Sequence, residues 1–578
     1  MSMSSSVVVK DPWADFYSKR PWLKFYNPDV PADVSIPEAP LYSLLDNTVA
    51  KHPNRDALIF FGRKVKYKEE HDASLRFASW LVGMGIGKGD VVAIYLPNSP
   101  QFAIAFFGAL YAGATVTPVN PLYTARELRF QLENSEAKVL VTLDMFKGTV
   151  LEGVPDSVKY VVWTGMQDYL PPVLIPLYKL RFRPPKVPEG GKHFKFKDVL
   201  KKSEPLKNKA SVNPKEDVAA LMYTGGTTGV PKGAMLTHYN LVANVHQIYP
   251  IAVSRTKKEC CWLGVAVLPW FHIYGQTCVL HLGVFTATTN IIYPRPPDIE
   301  TLMRDIEKYK VEVFFGVPAL YIAIVNHPKA KEYDLSSLRA CVSGAAPLPV
   351  ATIEAFEKIA PGALREGYGL TETSPVTHVN HDKYKAGSIG IPLPSTMAAI
   401  VDLEKPEFLP PGKIGELVIS GPQVMKGYYK MPEENKLVFF EAYGRMWVRT
   451  GDIAYVDDDG YFYIVDRKKE LIKYKGWSIY PREVEEILYK HECVKMAAVV
   501  GKPDPEAGEI PKAFIVLRDE CKGRVKPEDI IEWCRKHLAT HKIPREIEFR
   551  DELPISAAGK VLRRVLKEEE MKKAKLTK

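Results

Sequence analysis

Short apolar runs alternate with amphipathic segments along the first part of the chain. Val91 to Leu96 is continuously apolar, which predicts a buried strand. Glu69 to Val82 carries apolar residues at helical spacing, and further helices are predicted at Ser99 to Ala112 and at Thr124 to Asn134. Strands that alternate with helices of about ten or more residues indicate crossover connections and a buried parallel sheet.

The rhythm changes after Gly387, where short alternating segments between glycine and proline turns predict a small β unit. A charged junction follows at Asp466 to Glu470, and beyond it helices and strands alternate again. The tail after Leu566 is rich in lysine and glutamate, so we predict a frayed helix there. The fold class is therefore α/β, with layered, mostly parallel sheets plus the β unit in a large N-terminal part, and with a smaller C-terminal α+β domain.

The length of 578 residues exceeds what one hydrophobic core organises, so roughly two to four domains are expected. We place an N-terminal domain at residues 1–466, with its β-rich subdomain at about 387–466, and a C-terminal domain at 470–578. The net charge of +10 suits anionic ligands or weak attraction to an anionic membrane. Because no zinc-finger spacing and no dense basic helix with aromatics occurs, we expect no nucleic-acid partner.

The seven cysteines are an odd number without a CxxC pair, which predicts reduced structural thiols in a cytosolic protein. The stretch from Met1 to Lys10 has no basic start and no apolar core, so no secretory signal is expected. Residues Cys260 to Pro294 contain no Asp, Glu, Lys or Arg. Their apolar pieces are short and include histidine, asparagine and proline, which favours a buried strand–loop–helix–strand core over a membrane span.

Residues 165–210 break the strand–helix pattern. The run from Leu170 to Pro185 mixes apolar, basic and proline residues. Two interpretations stay open: a proline-rich linker insert, which the prolines favour, and a segment that lies on a lipid surface.

The stretch from Tyr223 to Gly233 holds four glycines, three threonines and one lysine in eleven residues. Glycines let backbone N–H groups approach an anion closely and form a concave nest, and Lys232 adds a point charge for phosphate oxygens. It is not the usual NTPase P-loop, because Lys232 is followed by Gly233 rather than by Ser or Thr. We therefore predict a phosphate-binding loop; a plain surface turn is the simpler alternative.

Four further motifs follow this loop in one order along the chain: Tyr368 to Glu372, Trp447 to Asp452, Asp466-Arg467 through Lys473 to Gly476, and Gly559-Lys560. Together the five motifs resemble the adenylate-forming superfamily of acyl-CoA synthetases, luciferases and adenylation domains, over nearly the whole chain. Within this superfamily, three segments are most similar to long-chain fatty acid–CoA ligases: Asn120 to Thr124, Pro269 to Gly275 and the basic, proline-rich run from Leu170 to Pro185.

The resemblance implies an ATP-dependent fatty acid–CoA ligase. The fatty carboxylate attacks the α-phosphate of ATP to give an acyl-adenylate and pyrophosphate, and the thiol of CoA then displaces AMP. Such a reaction needs mainly positioning and charge neutralisation, with Mg²⁺ as cofactor. Two alternatives stay open: a ligase for an aryl or short-chain carboxylate, like coumarate–CoA ligases, and a non-catalytic acyl- or nucleotide-binding protein. We expect a cytoplasmic location; peripheral contact with the inner face of the membrane and a homodimer are compatible with this.

The resemblance also implies roles for single residues. The ATP phosphates are assigned to Thr224, Gly225, Gly226, Thr227, Thr228, Gly229 and Lys232. Adenine is assigned to Gly344, Ala345, Ala346, Glu366, Gly367, Tyr368 and Gly369, and the ribose hydroxyls to Asp452 and Arg467. Thr224 and Glu372 are the expected Mg²⁺ ligands, which fits an ion that prefers oxygen.

The implied catalytic residues are Lys560, His272, Thr371 and Lys473. Thr371 donates to the α-phosphate, His272 orients the carboxylate, and Lys560 bridges the two groups in the first half-reaction. The small domain of the family rotates between the half-reactions, which makes 467–469 the hinge and the C-terminal domain mobile. The pivot falls at Lys469, where many members have Asp. Lys473 and Gly476 then face the CoA side. Tyr321 takes the place of an acyl-pocket gate that is often Trp, and two interpretations stay open: Tyr321 serves as that gate, or it closes a shorter pocket.

Overall fold

The computed structural model describes residues 12–224, 231–360, 364–475, 477–555 and 561–576. The strands of this part of the chain are β1 (Asp56–Phe60), β2 (Arg63–Lys66), β3 (Val91–Tyr95), β4 (Thr115–Pro118), β5 (Ala137–Leu143), β6 (Tyr160–Thr164), β7 (His193–Lys195), β8 (Val218–Thr224), β9 (Lys232–Thr237), β10 (Leu263–Ala266), β11 (Thr289–Ile292), β12 (Val313–Gly316), β13 (Ala340–Ser343), β14 (Leu364–Gly369), β15 (Val376–Val379), β16 (Ile391–Pro392), β17 (Met397–Val401), β18 (Gly415–Ser420), β19 (Gly427–Tyr428), β20 (Phe439–Ala442), β21 (Arg445–Val456), β22 (Phe462–Arg467), β23 (Ile472–Tyr474), β24 (Trp477–Ile479), β25 (Val494–Asp504), β26 (Gly508–Leu517) and β27 (Glu546–Phe549).

Helices connect most of these strands. They are α1 (Pro12–Ser18), α2 (Ser43–Lys51), α3 (Tyr67–Gly83), α4 (Pro100–Tyr111), α5 (Ala125–Asn134), α6 (Lys147–Gly153), α7 (Ile175–Phe182), α8 (Phe196–Lys202), α9 (His238–Thr256), α10 (Ile273–Gly275), α11 (Leu282–Phe285), α12 (Ile299–Tyr309), α13 (Pro318–Val325), α14 (Val350–Glu357), α15 (Pro432–Val438), α16 (Pro481–Tyr489), α17 (Pro527–His537) and α18 (Arg563–Leu576). A π-helical segment, Gln276–His281, joins α10 to α11.

The chain divides into two units. Residues 23–396 and 420–437 form one, called the large unit below, and residues 1–22, 397–419 and 438–578 form the other, called the small unit. The large unit is α/β with mostly parallel sheets, and the small unit combines a β part with a C-terminal α+β part, so the predicted fold class is confirmed.

The large unit holds two sheets. A nine-stranded sheet runs β16-β15-β14-β13-β12-β10-β11-β1-β2, and its strands from β14 through β1 pair in parallel. An eight-stranded sheet runs β19-β9-β8-β4-β3-β5-β6-β7, in which β8 and the strands from β4 to β7 are parallel. The crossover pattern read from the sequence therefore gives the predicted buried parallel sheets.

Local sequence signals explain where several helices begin. The Thr124 hydroxyl accepts a hydrogen bond from the Glu127 N–H, and the Glu127 carboxylate accepts one from the Thr124 N–H at 2.8 Å, which forms a capping box at the start of α5. Ser99 caps α4, and Pro100 occupies its first turn, where the missing N–H costs nothing. Thr237 caps α9, and a strand that the sequence did not suggest, β9, separates this helix from the glycine-rich loop.

The uncharged stretch from Cys260 to Pro294 forms the buried strand–loop–helix–strand core that its short apolar pieces predicted. It contributes β10, the helical segment from α10 to α11, and β11. Across the described ranges, every helix is too short or too polar to cross a membrane.

The small unit contains two five-stranded sheets. In the first, β17-β18-β21-β20 lie in this order and β22 pairs with β21. In the second, β24-β23-β26-β25 lie in this order and β27 pairs with β26. Helices α16 and α17 pack with the second sheet around a core that includes Val484, Ile515 and Ile530.

Three expectations from the sequence are wrong in part. Residues 165–210 are not a plain linker, because β7 extends the eight-stranded sheet and α7 forms with Pro176 in its first turn. The tail is an ordered helix, α18, whose Glu570 is buried against Lys512. The thiols are not all reduced, because the fold brings Cys493 and Cys521 together as a disulfide, a long-range pairing that the spacing of cysteines does not encode.

Candidate active site

The carboxyl ends of the parallel strands β10, β12, β13 and β14 meet at one edge of the nine-stranded sheet. In register, Gly316 of β12 lies beside Ser343 of β13, and Ser343 lies beside Glu366 of β14. The loops that leave these strands therefore emerge together, and they carry His272, Gly344 and Glu372. Such an edge is where open α/β sheets bind their ligands.

A tyrosine holds two of these loops together. The Tyr274 hydroxyl donates to the carbonyl of Val342 at 2.9 Å, and its ring packs on the backbone of Gly344. A Cβ on Gly344 would lie 3.1 Å from that ring, so the close approach favours glycine there. Ala345 follows with φ +70° and is exposed, and Ala346 is half-buried. The Gly344–Ala346 loop thus presents its backbone at the sheet edge.

His272 precedes α10 and acts as its N-cap. Its Nδ1 accepts a hydrogen bond from the Tyr274 N–H at 3.2 Å, so the proton of the neutral ring lies on Nε2. Burial lowers the pKa of His272 to about 4, and the ring is therefore neutral at physiological pH. A neutral imidazole with a fixed Nε2–H can donate to a carboxylate or phosphate oxygen without carrying a charge.

The end of β14 carries the other predicted nucleotide residues of this edge. Glu366 is buried, and Tyr368 presents its ring edge-on to His378 with centroids 5.9 Å apart. Gly369 is required by a tight approach, since a Cβ there would lie 2.1 Å from the Pro375 carbonyl oxygen. A short 3-10 helix, Thr371–Thr373, then places Thr371 and Glu372 beyond the strand.

The β8–β9 hairpin places Thr224 directly opposite Lys232. Residues Gly225, Gly226, Thr227, Thr228 and Gly229 of the loop between them lie outside the described residues. Lys232 is only 8% exposed, and its ammonium forms an ion pair with Glu434 and lies 5.3 Å from the centroid of the Tyr428 ring. The predicted phosphate-binding lysine is therefore buried beside an acid and an aromatic ring.

Tyr428 links Lys232 to the predicted metal ligand. Its hydroxyl donates to Glu372 Oε1 at 2.6 Å, while the N–H of Met425 donates to the Glu372 carbonyl at 2.8 Å. The structure thus brings Lys232, Glu372 and Thr224 into one region of the large unit. Sequence reasoning missed Tyr428 and Glu434, since Tyr428 is set opposite β9 only by its pairing in β19 and neither residue lies in a motif.

The residues of this region fit Mg²⁺. Glu372 offers a carboxylate and Thr224 a hydroxyl, which are the hard oxygen ligands this ion takes when phosphates and water complete its shell. The Glu372 carboxylate is oriented by its bond to Tyr428, as an ordered ligand should be.

The two residues predicted for the ribose lie together in the small unit. Asp452 of β21 and Arg467 of β22 are cross-strand partners, and Arg467 Nε lies 2.9 Å from Asp452 Oδ1. Asp452 is 2% exposed, and its backbone N–H donates to the Thr450 hydroxyl at 3.1 Å. A carboxylate oxygen held beside a guanidinium can accept hydrogen bonds from hydroxyl groups.

The structure gives the exposure or the local contacts of the remaining predicted residues that it describes. Lys473 is exposed on β23, where its N–H donates to Glu509 at 3.1 Å, and Lys469 is exposed between β22 and β23. Lys560 and Gly476 lie outside the described residues. Tyr321 is 0% exposed on α13, and its hydroxyl donates to the Phe314 carbonyl at 2.8 Å. The structure therefore holds Tyr321 in the core, and its part as an acyl-pocket gate stays a prediction.

Known proteins resemble this chain along most of its length. Residues 45–429 match the AMP-binding enzyme family, and residues 483–560 match the AMP-binding enzyme C-terminal domain. A long-chain-fatty-acid–CoA ligase of Bacillus subtilis (strain 168) is 41% identical over 560 residues, which are 96% of this chain and 98% of the relative. A long-chain-fatty-acid–CoA ligase of Salmonella typhimurium (strain LT2) is 37% identical, over 95% of this chain and 98% of the relative.

Solved structures agree with the sequence matches. ATP-bound MatB from Rhodopseudomonas palustris superposes with a TM-score of 0.81 at 27% identity, over 92% of this chain and 99% of that one. The anthranilate CoA ligase AuaEII in complex with anthranoyl-AMP gives a TM-score of 0.77 at 25% identity, over 94% and 98% of the two chains. Sequence, fold and the arrangement at the sheet edge agree, and the chain therefore belongs to the AMP-binding enzyme family.

Proposed function

We propose that the chain is an ATP-dependent fatty acid–CoA ligase, which forms an acyl-adenylate and then an acyl-CoA thioester and releases pyrophosphate and AMP. The observation that carries the proposal is the chain of contacts from Lys232 through Tyr428 to Glu372, beside the strand ends that carry His272. It offers a cation for phosphate, oxygen ligands for a metal and a neutral donor for a carboxylate. The long-chain-fatty-acid–CoA ligases among the relatives support the acyl substrate.

In the first half-reaction the large unit positions ATP. Lys232 and the loop at 225–229 hold the β- and γ-phosphates, and Thr371 donates to the α-phosphate. Glu372 and Thr224 would hold Mg²⁺, which supplies charge neutralisation for the leaving pyrophosphate. Tyr428 keeps the Glu372 carboxylate oriented for this role. Positioning and charge neutralisation of this kind are the main contributions that phosphoryl chemistry asks of a protein.

The carboxylate of the fatty acid is oriented by His272. The Nε2–H of its neutral ring donates to one carboxylate oxygen, so that the other oxygen faces the α-phosphate. A protonated imidazole would instead form a tight ion pair and lower the nucleophilicity of the carboxylate. Because burial keeps the pKa of His272 at about 4, the ring stays neutral throughout the physiological range.

Nucleoside recognition uses backbone groups at the sheet edge for the adenine, and the ion pair of Asp452 with Arg467 for the ribose. Gly344 to Ala346 and Glu366 to Gly369 line the adenine, with Tyr368 stacking on the base. Asp452 accepts the ribose hydroxyls, and Arg467 orients Asp452 through their 2.9 Å contact. Arg467 thus pairs with Asp452 in this structure, and we propose that it also contacts the ribose when the nucleotide is bound.

Domain rotation connects the two half-reactions. We propose an N-terminal domain at 1–466, a hinge at 467–469 and a C-terminal domain at 470–578 that turns at Lys469. Lys560 approaches the carboxylate and the α-phosphate in the first orientation, while Lys473 and Gly476 face the CoA thiol in the second. The exposure of Lys469 and Lys473 supports this, since neither side chain is committed to the core.

The test of this function is pyrophosphate release with a panel of carboxylates, followed by thioester formation from supplied acyl-adenylate. Long-chain fatty acids should give the fastest release. Release with aryl or short-chain acids alone would favour that alternative, and no release with any acid would favour a binding protein. Lys560→Ala should lose adenylation and keep thioester formation, whereas Lys572→Ala, an exposed lysine on α18, should keep both. Equal loss of both half-reactions in Lys560→Ala would contradict its role.

We also propose weak peripheral contact of this cytoplasmic enzyme with an anionic membrane through α7. Val173 beside the helix is 82% exposed and Leu180 on it is 72% exposed, and Lys179 and Arg181 lie in the last turn. Apolar side chains among basic ones suit the surface of an anionic bilayer. Pelleting with anionic and with neutral vesicles tests this: a Leu177→Ser/Leu180→Ser variant should lose the anionic-specific fraction, and unchanged pelleting would discard the contact.

A further inference from the structure

A cluster of three metal-binding side chains lies away from the sheet edge just described. His52 follows α2, and Cys260 and Cys261 precede β10. Cys260 Sγ lies 3.9 Å from His52 Nε2, Cys261 Sγ lies 3.9 Å from His52 Nδ1, and the two sulfurs are 3.0 Å apart. One donor atom from each residue can be chosen so that all lie within 4.8 Å of one another.

The cluster lies at the opposite edge of the nine-stranded sheet from His272. β1, β10 and β11 are parallel neighbours, and the cluster residues precede β1 and β10 along the chain, whereas His272 follows β10. Amino ends and carboxyl ends of parallel strands lie at opposite edges. The cluster is therefore no part of the nucleotide and acyl site, and the ligase reaction gives no reason for it.

The backbone holds the cysteine loop in an unusual conformation. Cys261 has φ +68°, a region that non-glycine residues adopt rarely and at a cost. Its N–H donates to the Thr286 carbonyl at 2.6 Å, and its carbonyl accepts from the Arg55 guanidinium at 2.6 Å. Arg55 also donates to the Ala287 carbonyl at 2.6 Å, which fixes the guanidinium itself. The position of the Cys261 thiol is thus set by a network outside the cluster.

His52 is held as firmly. Its N–H donates to the Thr48 carbonyl at 2.7 Å at the end of α2, and its carbonyl accepts from the Arg55 N–H at 3.2 Å. The ring is half-buried and lines an open cavity of about 530 Å³ together with Lys51, Asp56, Cys261 and Thr289. Solvent and ions therefore reach His52 and Cys261.

We propose that His52, Cys260 and Cys261 form a binding site for a thiophilic divalent cation of the zinc class. Two sulfurs and one imidazole nitrogen are soft to borderline donors, which select such ions over Mg²⁺. The fourth tetrahedral position faces the cavity and is open to water or to another ligand. Binding releases the two S–H protons to solvent, and the two thiolates neutralise the charge of the ion.

The required adjustment is small. Tetrahedral Zn–S bonds of about 2.3 Å place two sulfurs about 3.8 Å apart, so the thiols have to separate by roughly 0.8 Å. Rotation about the side-chain torsions of Cys260 achieves this, because its side chain is half-buried and the fixed backbone conformation is that of Cys261. The two observed S···N distances of 3.9 Å end on different ring nitrogens, Nε2 and Nδ1, whereas a metal ion takes only one of them. One donor atom of each residue lies within 4.8 Å of the others, so a rotation of the imidazole has to bring one nitrogen to roughly 3.6 Å from both sulfurs, the spacing that Zn–N and Zn–S bonds set.

The experiment measures metal stoichiometry on the full chain after treatment with a chelator. Zn²⁺ binding is measured by equilibrium dialysis with elemental analysis, and Cd²⁺ binding by thiolate-to-metal charge-transfer absorbance. We expect one equivalent of each ion on the wild type, in the presence of excess Mg²⁺. The Cys260→Ser/Cys261→Ser variant should lose that equivalent, and His52→Ala should bind it at least about 10-fold more weakly.

Matched controls separate this site from other thiols and imidazoles. Cys534→Ser removes a free cysteine of the small unit, and His537→Ala removes an exposed histidine of α17; both should keep the equivalent. Two results would overturn the proposal. One is an unchanged metal stoichiometry in the double-serine variant. The other is a wild type that binds no metal ion, with Cys260 and Cys261 joined as a vicinal disulfide in peptide mass mapping. Ligase activity, measured in parallel, reports whether each variant is folded.

Discussion

Several ionisable groups of the large unit are buried neutral, whereas a buried arginine of the small unit is charged and paired with carboxylates. In the large unit, burial lowers the pKa of His281 and His378 to about 3 and raises the pKa of Glu70 to about 8, so these groups are buried neutral. In the small unit, the Arg563 guanidinium is surrounded by the carboxylates of Asp466, Glu470 and Glu485. Neutral burial avoids the cost of desolvating a charge, whereas a network of buried charges has to compensate that cost with geometry.

The difference follows what each unit is proposed to do. In the large unit the neutral rings of His281 and His378 pack against the aromatic rings of Phe106 and Tyr368. The Arg563 network instead joins Asp466, at the end of β22, to residues on α16 and α18, and thus spans the proposed hinge. Ion pairs break and re-form in water more readily than packed cores do, which suits a segment that has to turn.

The largest expected effect comes from removing the central cation. Arg563→Met leaves three carboxylates near one another without compensation, and we expect the small unit to lose about 3–5 kcal/mol of unfolding free energy. Denaturant unfolding followed by a probe in the small unit measures this. Arg564→Met is the matched control, because Arg564 makes an exposed i,i+4 pair with Glu568 and should cost less than about 1 kcal/mol. Equal losses in both variants would remove the contrast between the units.

The disulfide is the next largest contribution, and it also belongs to the small unit. Cys493 and Cys521 are 28 residues apart, and a loop of that length predicts about 3.5 kcal/mol of stabilisation through the unfolded state. Reduction of the wild type should lower the unfolding free energy of the small unit by this amount. The Cys493→Ala/Cys521→Ala variant should be as stable as the reduced wild type and insensitive to reductant. A variant that still responds to reductant would assign the effect to other cysteines.

Acid should act on the large unit through its neutral histidines. The unfolded-state pKa of a histidine is about 6.5, and the folded-state pKa of His281 is about 3. The stabilisation by its neutral form is complete above pH 6.5 and is lost as the pH falls toward 3. The loss has reached about 2 kcal/mol at pH 5. His281→Phe, which keeps the ring contact with Phe106, should flatten the decline between pH 7 and 5 by that amount.

The matched control for this effect is His537→Phe, which changes an exposed histidine of α17. Unfolding midpoints at pH 7, 6 and 5, followed by a probe in the large unit, distinguish the two variants. A pH profile of His281→Phe that parallels the wild type would contradict the assignment of the acid sensitivity to His281. The acid sensitivity of the large unit would then have to come from its carboxylates rather than from this buried neutral histidine.

Local signals in the sequence predicted the secondary structure of the scaffold well. Contacts between residues far apart in the sequence could not be predicted from it. Thr124 and Glu127 are three residues apart, so their capping box could be read directly. The motif at Tyr368 to Glu372 could be assigned because adjacent residues carry it. The neighbours of Arg563 are up to 97 residues away, and the contact of Tyr428 with Glu372 spans 56, so only the folded sheets bring them together. The ion pair of Lys232 with Glu434, 202 residues apart, belongs to the same class.

That ion pair is a buried charged pair of the large unit, like that of Arg365 with Glu357, and it provides the smallest expected effect. Lys232 is buried and charged beside Glu434, and an incoming phosphate competes with this carboxylate for the same ammonium. Glu434→Gln keeps the shape of the side chain but removes the competing charge. We therefore expect the KM for ATP to fall a few-fold, which corresponds to about 0.5–1 kcal/mol. Initial rates of pyrophosphate release at varied ATP measure it.

Glu433→Gln is the matched control, because Glu433 is the preceding residue on α15 and pairs with exposed Lys436 instead. Its KM for ATP should equal that of the wild type. If Glu434→Gln raised the KM, Glu434 would be positioning Lys232 for the phosphate rather than competing with it. The buried charge at the site would then resemble the Arg563 network in the small unit, where the carboxylates hold their cation in place. The direction of the change in the KM for ATP thus decides between two roles of Glu434: competition with the phosphate for Lys232, which a fall in KM indicates, and positioning of Lys232, which a rise indicates.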